Sequence, residues 1–223
     1  MSRGLVVLLF AALLFVACKK KEGPPASPAP SPAWLAGELQ PEASPSPPVA
    51  GGTLTIRIHT EPAGLNLLHD QMAEATMARI TIGPIYETLA ELDRSSHALM
   101  PLLAESWAQS ADHLTLTIRL REGIKFHNGQ TLRSKDVKAV VDAILEPSNL
   151  TTSMRSVFTD LATVATPDDR TVVFVWKKAH FLNVSSVLTG IPILPASALK
   201  GDFNTLAINR APIGTGPFAF APQ

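Results

Sequence analysis

The sequence predicts an α/β fold, and three stretches carry that prediction. Residues 102–145 (LLAESWAQSADHLTLTIRLREGIKFHNGQTLRSKDVKAVVDAIL) read as strand, turn, strand, turn, short strand, turn and helix. Residues 161–176 read as a hairpin around Pro167-Asp168-Asp169. Residues 71–89 space Ala75, Ala78, Ile82 and Ile85 along one helical face, which Met72 and Leu89 extend.

The elements follow in order. Gly51-Gly52 opens the folded part and leads into a strand at 53–58. Glu61-Pro62-Ala63-Gly64-Leu65-Asn66 is a turn, fixed by Pro62 and Gly64, in which Asn66 can bond its own backbone. Pro84 predicts a kink or restart in the 71–89 helix. Residues 92–99 form a hairpin-like excursion over Asp93-Arg94-Ser95-Ser96. A strand begins at Trp107, and Ala111-Asp112-His113 turns the chain. In the next strand Leu114, Leu116, Ile118 and Leu120 face one way, and Thr115, Thr117 and Arg119 the other. Arg121-Glu122-Gly123 turns again, 124–126 is a short strand, and His127-Asn128-Gly129 is a tight turn. Ser134 caps a helix at 135–145, with Asp136 in its first turn and Val137, Val140, Val141 and Ile144 on its apolar face. A short helix at 151–158 precedes the hairpin. In its second strand Val172, Phe174 and Trp176 oppose Val173, Val175 and Lys177. A helix at 181–188, a strand at 191–194 and a helix opened by Pro195 complete the series.

Composition restricts function. The 223 residues carry 19 Lys+Arg and 19 Asp+Glu, so no basic footprint argues for nucleic acid. A single cysteine, Cys18, allows no internal disulfide. The six histidines (59, 69, 97, 113, 127 and 180) show no i, i+4 pair and no cysteine partner, so no metal signature and no cofactor are expected. No Gly-x-Ser-x-Gly elbow occurs, and Asp168-Asp169 belongs to a turn, so the chain does not read as an enzyme. His127 reads as a structural turn residue.

The first 50 residues are different in kind. Arg3 and the apolar run 5–16 form a signal peptide, too short for a membrane span of ~20 residues. Ala17 before Cys18 resembles a bacterial lipobox, with Phe15 where Leu is usual. That resemblance implies acylation of Cys18 and a lipid anchor. An ordinary secretory signal is the alternative. Lys19, Lys20 and Lys21 then meet anionic headgroups or are merely solvated. The residue after Cys18 is not Asp, which by resemblance to Gram-negative sorting rules does not favour inner-membrane retention. Residues 22–50 are rich in Pro, Ala and Ser, a semi-rigid tether reaching at most ~3 Å per residue. Trp34 and Leu35 stand out in it as large apolar residues. The expected division is therefore 1–17 signal peptide, 18–50 lipidated tether and 51–223 folded domain.

The residues of 102–145 carry a family resemblance. Ala104-Glu105-Ser106-Trp107 comes first, then Leu120-Arg121-x-Gly123-x-Lys125-Phe126-His127-Asn128-Gly129, Leu132, and Ser134-x-Asp136-Val137. This order resembles the family 5 extracellular solute-binding proteins, the peptide- and nickel-binding receptors of bacterial ABC importers. Other segments match too: Glu61-Pro62 with Leu65-Asn66 (Leu67 standing where Pro is frequent), Ile85-Tyr86-Glu87-x-Leu89, Pro167-Asp168-Asp169-x-Thr171-Val172-Val173-Phe174, and Pro212-Ile213-Gly214-Thr215-Gly216-Pro217-Phe218. The start of the last helix departs, with Ala196-Ser197 where relatives often have Lys-His.

The resemblance implies a periplasmic-binding-protein-like fold of type II. This chain would be the N-terminal part of lobe I, a mixed sheet plus a small β-meander/helix subdomain, with the second lobe missing. It implies capture of peptides outside the inner membrane for an ABC permease, with a lipid-anchored, extracytoplasmic chain in the cell envelope. Alternatives are a half-lobe lipoprotein serving as a structural or interaction module, or a receptor for nickel chelates or another small solute. Glu61, Asn66, Tyr86, Gly214, Thr215 and Gly216 are the candidate ligand-binding residues. Each has a second role open to it: turn formation for Glu61 and Asn66, core packing for Tyr86, and a structural turn for the glycine loop.

Overall fold

Hydrophobic alternation builds the centre of the molecule. The computed structural model describes residues 51–57, 62, 64–70 and 82–221. The fold lies in the unit Thr55–Gln223. Its main sheet contains β3 (Ala104–Gln109), β4 (Thr115–Leu120), β5 (Leu161–Ala165) and β6 (Thr171–Trp176) in the order β3-β4-β6-β5. A separate hairpin pairs β1 (Ala90–Leu92) with β2 (Leu99–Pro101). Every pairing among the described residues is antiparallel, so the expected mixed sheet is not found within them. Short hairpin connections enforce that direction for β3–β4 and β5–β6.

In β4 Leu116, Ile118 and Leu120 are fully buried while Thr117 and Arg119 face water. In β6 Val172, Phe174 and Trp176 are buried. Register places Leu116 opposite Phe174 and Ile118 opposite Val172, so the two apolar rows make one face. Helix α1 (Ser134–Leu145) packs against β6, and Val137, Val140, Val141 and Ile144 are all fully buried. Burying each such side chain contributes roughly 1.5–3 kcal/mol.

The start of α1 is pinned on three sides. Asp136 Oδ2 accepts from Arg133 N (2.8 Å) and Oδ1 from Ala196 N (2.8 Å). Ser134 N donates to Asp169 O (2.8 Å), and its hydroxyl donates to Asp168 O. Ser134 is thus the first helical residue, not the expected cap. Its hydroxyl is engaged by the β5–β6 hairpin, and the carboxylate of Asp136 does the capping. At the other end Arg155, which closes α2 (Thr152–Arg155), donates to Ile144 O (3.0 Å), Glu146 O (2.7 Å) and Asn149 O (2.9 Å). Those carbonyls have no helical partner of their own.

Several expected elements change. Residues 53–57 are exposed and unpaired among the described residues, with Leu54 at 84% exposure. A strand without a neighbouring ladder leaves its amides to water. The strand expected to begin at Trp107 starts at Ala104. The short strand 124–126 is reduced to one bridge, Lys125 to Thr131. The helix expected over 71–89 does not reach Leu89. A 3₁₀ turn at Gly83–Ile85 contains Pro84, and Tyr86 is extended (φ −112°, ψ 150°). Residues 71–81 of that helix lie outside the described residues.

Helix α3 spans Asn183–Gly190, two residues later than expected. His180 Nδ1 accepts from Leu182 N (3.2 Å), which holds Phe181 outside the helix and 85% exposed. Residues 191–194 are buried but not a strand; Ile193 N makes one bond, to Glu87 O (3.0 Å). Pro195 precedes a 3₁₀ turn, Ala196–Leu199, instead of sitting inside a helix.

Candidate functional site

Three segments distant in sequence, 65–66, 83–86 and 126–130, supply four sides around the loop at 212–218 and Asn209 just ahead of it. The loop lies along the 3₁₀ turn before Tyr86: Gly216 N donates to Ile85 O (3.0 Å) and Phe218 N to Pro84 O (3.3 Å). This approach leaves no room for side chains. A Cβ on Gly214 would stand 2.0 Å from Ile85 O, and one on Gly216 2.2 Å from Pro84 O. The glycines are therefore required for contact, since neither position has the left-handed φ that only glycine tolerates.

The turn at 126–130 forms the second side. Gly129 takes φ +82°, and Gly129 N donates to Phe126 O (2.8 Å). That turn presents His127, whose N donates to Gly214 O (2.9 Å) and whose Nε2 lies 2.8 Å from Gly216 O. Gly214 N approaches His127 Nδ1 at 3.4 Å.

The third side is Tyr86. Its ring is 6% exposed, and its hydroxyl donates to Leu65 O (2.8 Å). Burial pushes the phenol well above the usual tyrosine range. The fourth side is Leu65-Asn66. Leu65 N donates to Asn209 O (2.7 Å), and Asn66 Nδ2 donates to Asn209 Oδ1 (2.9 Å). Asn66 Oδ1 accepts from Leu68 N (3.0 Å), the turn-forming bond expected of it.

Asn66, Tyr86 and residues 214–216 thus belong to one continuous assembly. Asn66 is 1% exposed and its amide is engaged on both sides. Thr215 is half-buried, and its Oγ1 is buried with no hydrogen-bond partner among the described residues. Phe218 is 66% exposed at the end of the loop. Glu61 and Cys18 lie outside the described residues. His127 and Asn209 hold the assembly together although neither was a sequence candidate. For His127 the signal was the FHNG turn; Asn209 gave none.

The assembly is electrically neutral. Residues 65–68, 83–86 and 212–218 contain no Asp, Glu, Lys or Arg. What it offers is a hydroxyl, an imidazole, peptide dipoles and apolar surface. Among the described residues no helix is long and apolar enough to cross a membrane.

Comparison with known proteins places this assembly in context. The profile of the bacterial extracellular solute-binding proteins, family 5 Middle, matches residues 98–222. The glutathione-binding protein GsiB of Escherichia coli is 32% identical over 148 residues, which is 66% of this chain and 28% of that protein. The chain therefore spans under a third of the length of that relative. Among solved structures, the PBP AgaA of A. tumefaciens in complex with agropinic acid superposes with a TM-score of 0.64 at 31% identity, over 73% of this chain and 32% of that one. NikZ of Campylobacter jejuni in complex with Ni(L-His) gives 0.64 at 28% identity, over 74% and 32%.

Two outcomes test the geometry. Gly214→Ala is expected to lower unfolding free energy by about 2–3 kcal/mol in urea titrations, because the new methyl must displace a backbone carbonyl. Gly190→Ala, where nothing lies within 4 Å, should be neutral or stabilise by up to about 1 kcal/mol. Equal effects of the two would refute the close-contact argument. Tyr86 is the one tyrosine in the chain, so ultraviolet titration reads it directly. Its pKa is raised on folding. The folded state therefore retains the proton, and stability should decline once pH rises above about 10, the unfolded value. Reversible ionisation of folded protein at about pH 10 would contradict the buried phenol.

Proposed function

The chain belongs to the bacterial extracellular solute-binding proteins of family 5, and from that premise we propose that it supplies one wall of a solute-binding cleft. In this reading, residues 65–66, Tyr86 and 214–216 form the wall, and the receptor delivers its solute to an ABC permease. The observation that carries the proposal is Thr215 Oγ1, a buried hydroxyl without a hydrogen-bond partner in a neutral loop. Buried hydroxyls are normally paired; this one is shut off from solvent, and a small shift of the loop would turn it toward a ligand's carbonyl or amide. Tyr86 and Asn66, both engaged internally, shape the wall and position the loop.

A small peptide is the solute class the wall suits best, because peptide groups pair with neutral donors and acceptors. Glutathione, a tripeptide, is the first to test given the relative at 32% identity. Calorimetric titration of the full chain with glutathione, a neutral dipeptide amide and Ni(L-His) distinguishes the solute classes. Saturable binding of the first two, with none of the third, is expected. Thr215→Val should weaken binding about 5–10-fold, the value of one hydrogen bond. Its unfolding midpoint should not fall, because the hydroxyl has no internal bond to lose. Unchanged affinity in Thr215→Val, or binding of the nickel chelate alone, would overturn this reading.

The envelope location is part of the same proposal. Acylated Cys18 would anchor the chain, with residues 18–50 as a tether and 51–223 as the solute-binding part. Cell fractionation should find the chain with membranes and Cys18→Ser in the soluble fraction. Identical partitioning of the two would refute the anchor.

A further inference from the structure

We infer that His127 is a positioning residue for residues 214–216, and that it holds them only as a neutral imidazole protonated on Nε2. The inference rests on reading that loop as a cleft wall. The tautomer follows from the partners. Gly216 O can only accept, so the ring nitrogen 2.8 Å away must carry the proton. Gly214 N can only donate, so Nδ1 must offer a lone pair. One tautomer satisfies both, and one ring thereby spans the two glycines that flank Thr215. The backbone bond from His127 N to Gly214 O (2.9 Å) is independent of ring protonation and fixes the register. The turn itself is rigid: Asn128 Oδ1 accepts from Gln130 N (3.1 Å), and Phe126 N donates to Gln130 O (2.8 Å).

Protonation breaks this arrangement. An imidazolium donates from both nitrogens, so Nδ1–H would point at the N–H of Gly214, donor against donor. The ring is exposed and open to protons. The nearest charged or titratable positions on the packed elements are Lys125 on its own turn and Tyr86 and Glu87 after Pro84; residues 212–218 contribute none. Among the described residues no ion pair includes His127. Protonation of the ring should therefore release the loop and weaken solute binding together.

The experiment is side-chain ¹⁵N NMR with amide exchange on the full chain. At pH 7.5 the His127 ring should show the Nε2–H tautomer. The Gly214 amide should exchange at least 10-fold faster in His127→Ala, after correction for intrinsic rates. Wild type should show the same acceleration at pH 5.5. His127→Gln offers a donor and an acceptor that do not titrate. It should restore protection and abolish its pH dependence. An Nδ1–H tautomer in wild type, or Gly214 protection indifferent to both pH and His127→Ala, overturns the inference without needing any variant to bind ligand. Glutathione titration at the two pH values separates this from the cleft reading. Affinity that falls about 10-fold in wild type but not in His127→Gln supports both. A loop that loosens while affinity holds constant overturns the cleft wall and leaves the positioning role of His127 standing. An equal loss in His127→Gln overturns the pH device.

Discussion

The backbone of residues 214–216 touches the backbone of Pro84 and Ile85, and the rest of the site depends on that contact. Two chain segments separated by about 130 residues can meet at this distance only if neither carries a side chain in between. Pro84 sets the other half of the contact. Within its 3₁₀ turn its ring fixes φ, so the carbonyls of Pro84 and Ile85 point toward the loop and away from any helix continuation. The chain then leaves extended through Tyr86, whose buried hydroxyl fixes Leu65. Leu65 and Asn66 in turn hold Asn209, just ahead of the loop. The loop's position is thus fixed by a closed circuit of backbone and amide hydrogen bonds, none of which relies on a charge.

The scaffold beneath follows a related logic with aspartates. Asp93, Asp112 and Asp168 each sit at a hairpin tip and accept from backbone N–H groups two or three residues ahead. For Asp93 the Ser96 amide is the main cause, followed by the Ser95 and Ser96 hydroxyls, and its carboxyl is held well below the usual range. For Asp112 the Ser110 hydroxyl leads, and for Asp168 the Arg170 amide. Asp136 applies the same chemistry in the interior, joining the start of α1 to Ala196. Charge-assisted bonds to fixed backbone donors outweigh exposed ion pairs such as Lys138–Asp142, which are worth about 0–1 kcal/mol.

This division explains what was legible in the sequence. Strands β4 and β6 and helix α1 were readable because their burial repeats with period 2 or 3.6, and each periodic row matches a buried row in the structure. Hairpin tips were readable because Asp, Asn and Gly act on neighbours two or three residues away. The site was only half readable. Its glycine loop stood out as a motif, but the motif did not reveal that the missing side chains make room for Ile85 O. Asn66–Asn209 spans 143 residues, a pairing that no local pattern encodes. Residues 53–57 and 191–194, expected as strands, are not strands for the complementary reason. Apolar β-prone sequence specifies a capacity to pair, whereas a strand also needs a neighbour at the right edge.

Neutrality also limits what the proposed cleft wall can contribute. A net hydrogen bond is worth about 1 kcal/mol in water, and the loop offers a ligand few of them. The ionic ends of a peptide gain nothing from residues 65–68, 83–86 or 212–218, which carry no charge. Desolvating an unpaired charge against such a surface would cost more than the hydroxyl of Thr215 returns. As a cleft wall, this surface would therefore favour the uncharged middle of a ligand and penalise its charged ends. That bias sets orientation before it sets affinity. It also gives the proposed His127 contact its importance, because a surface that selects by placing a few dipoles correctly would lose its selectivity when its loop moves.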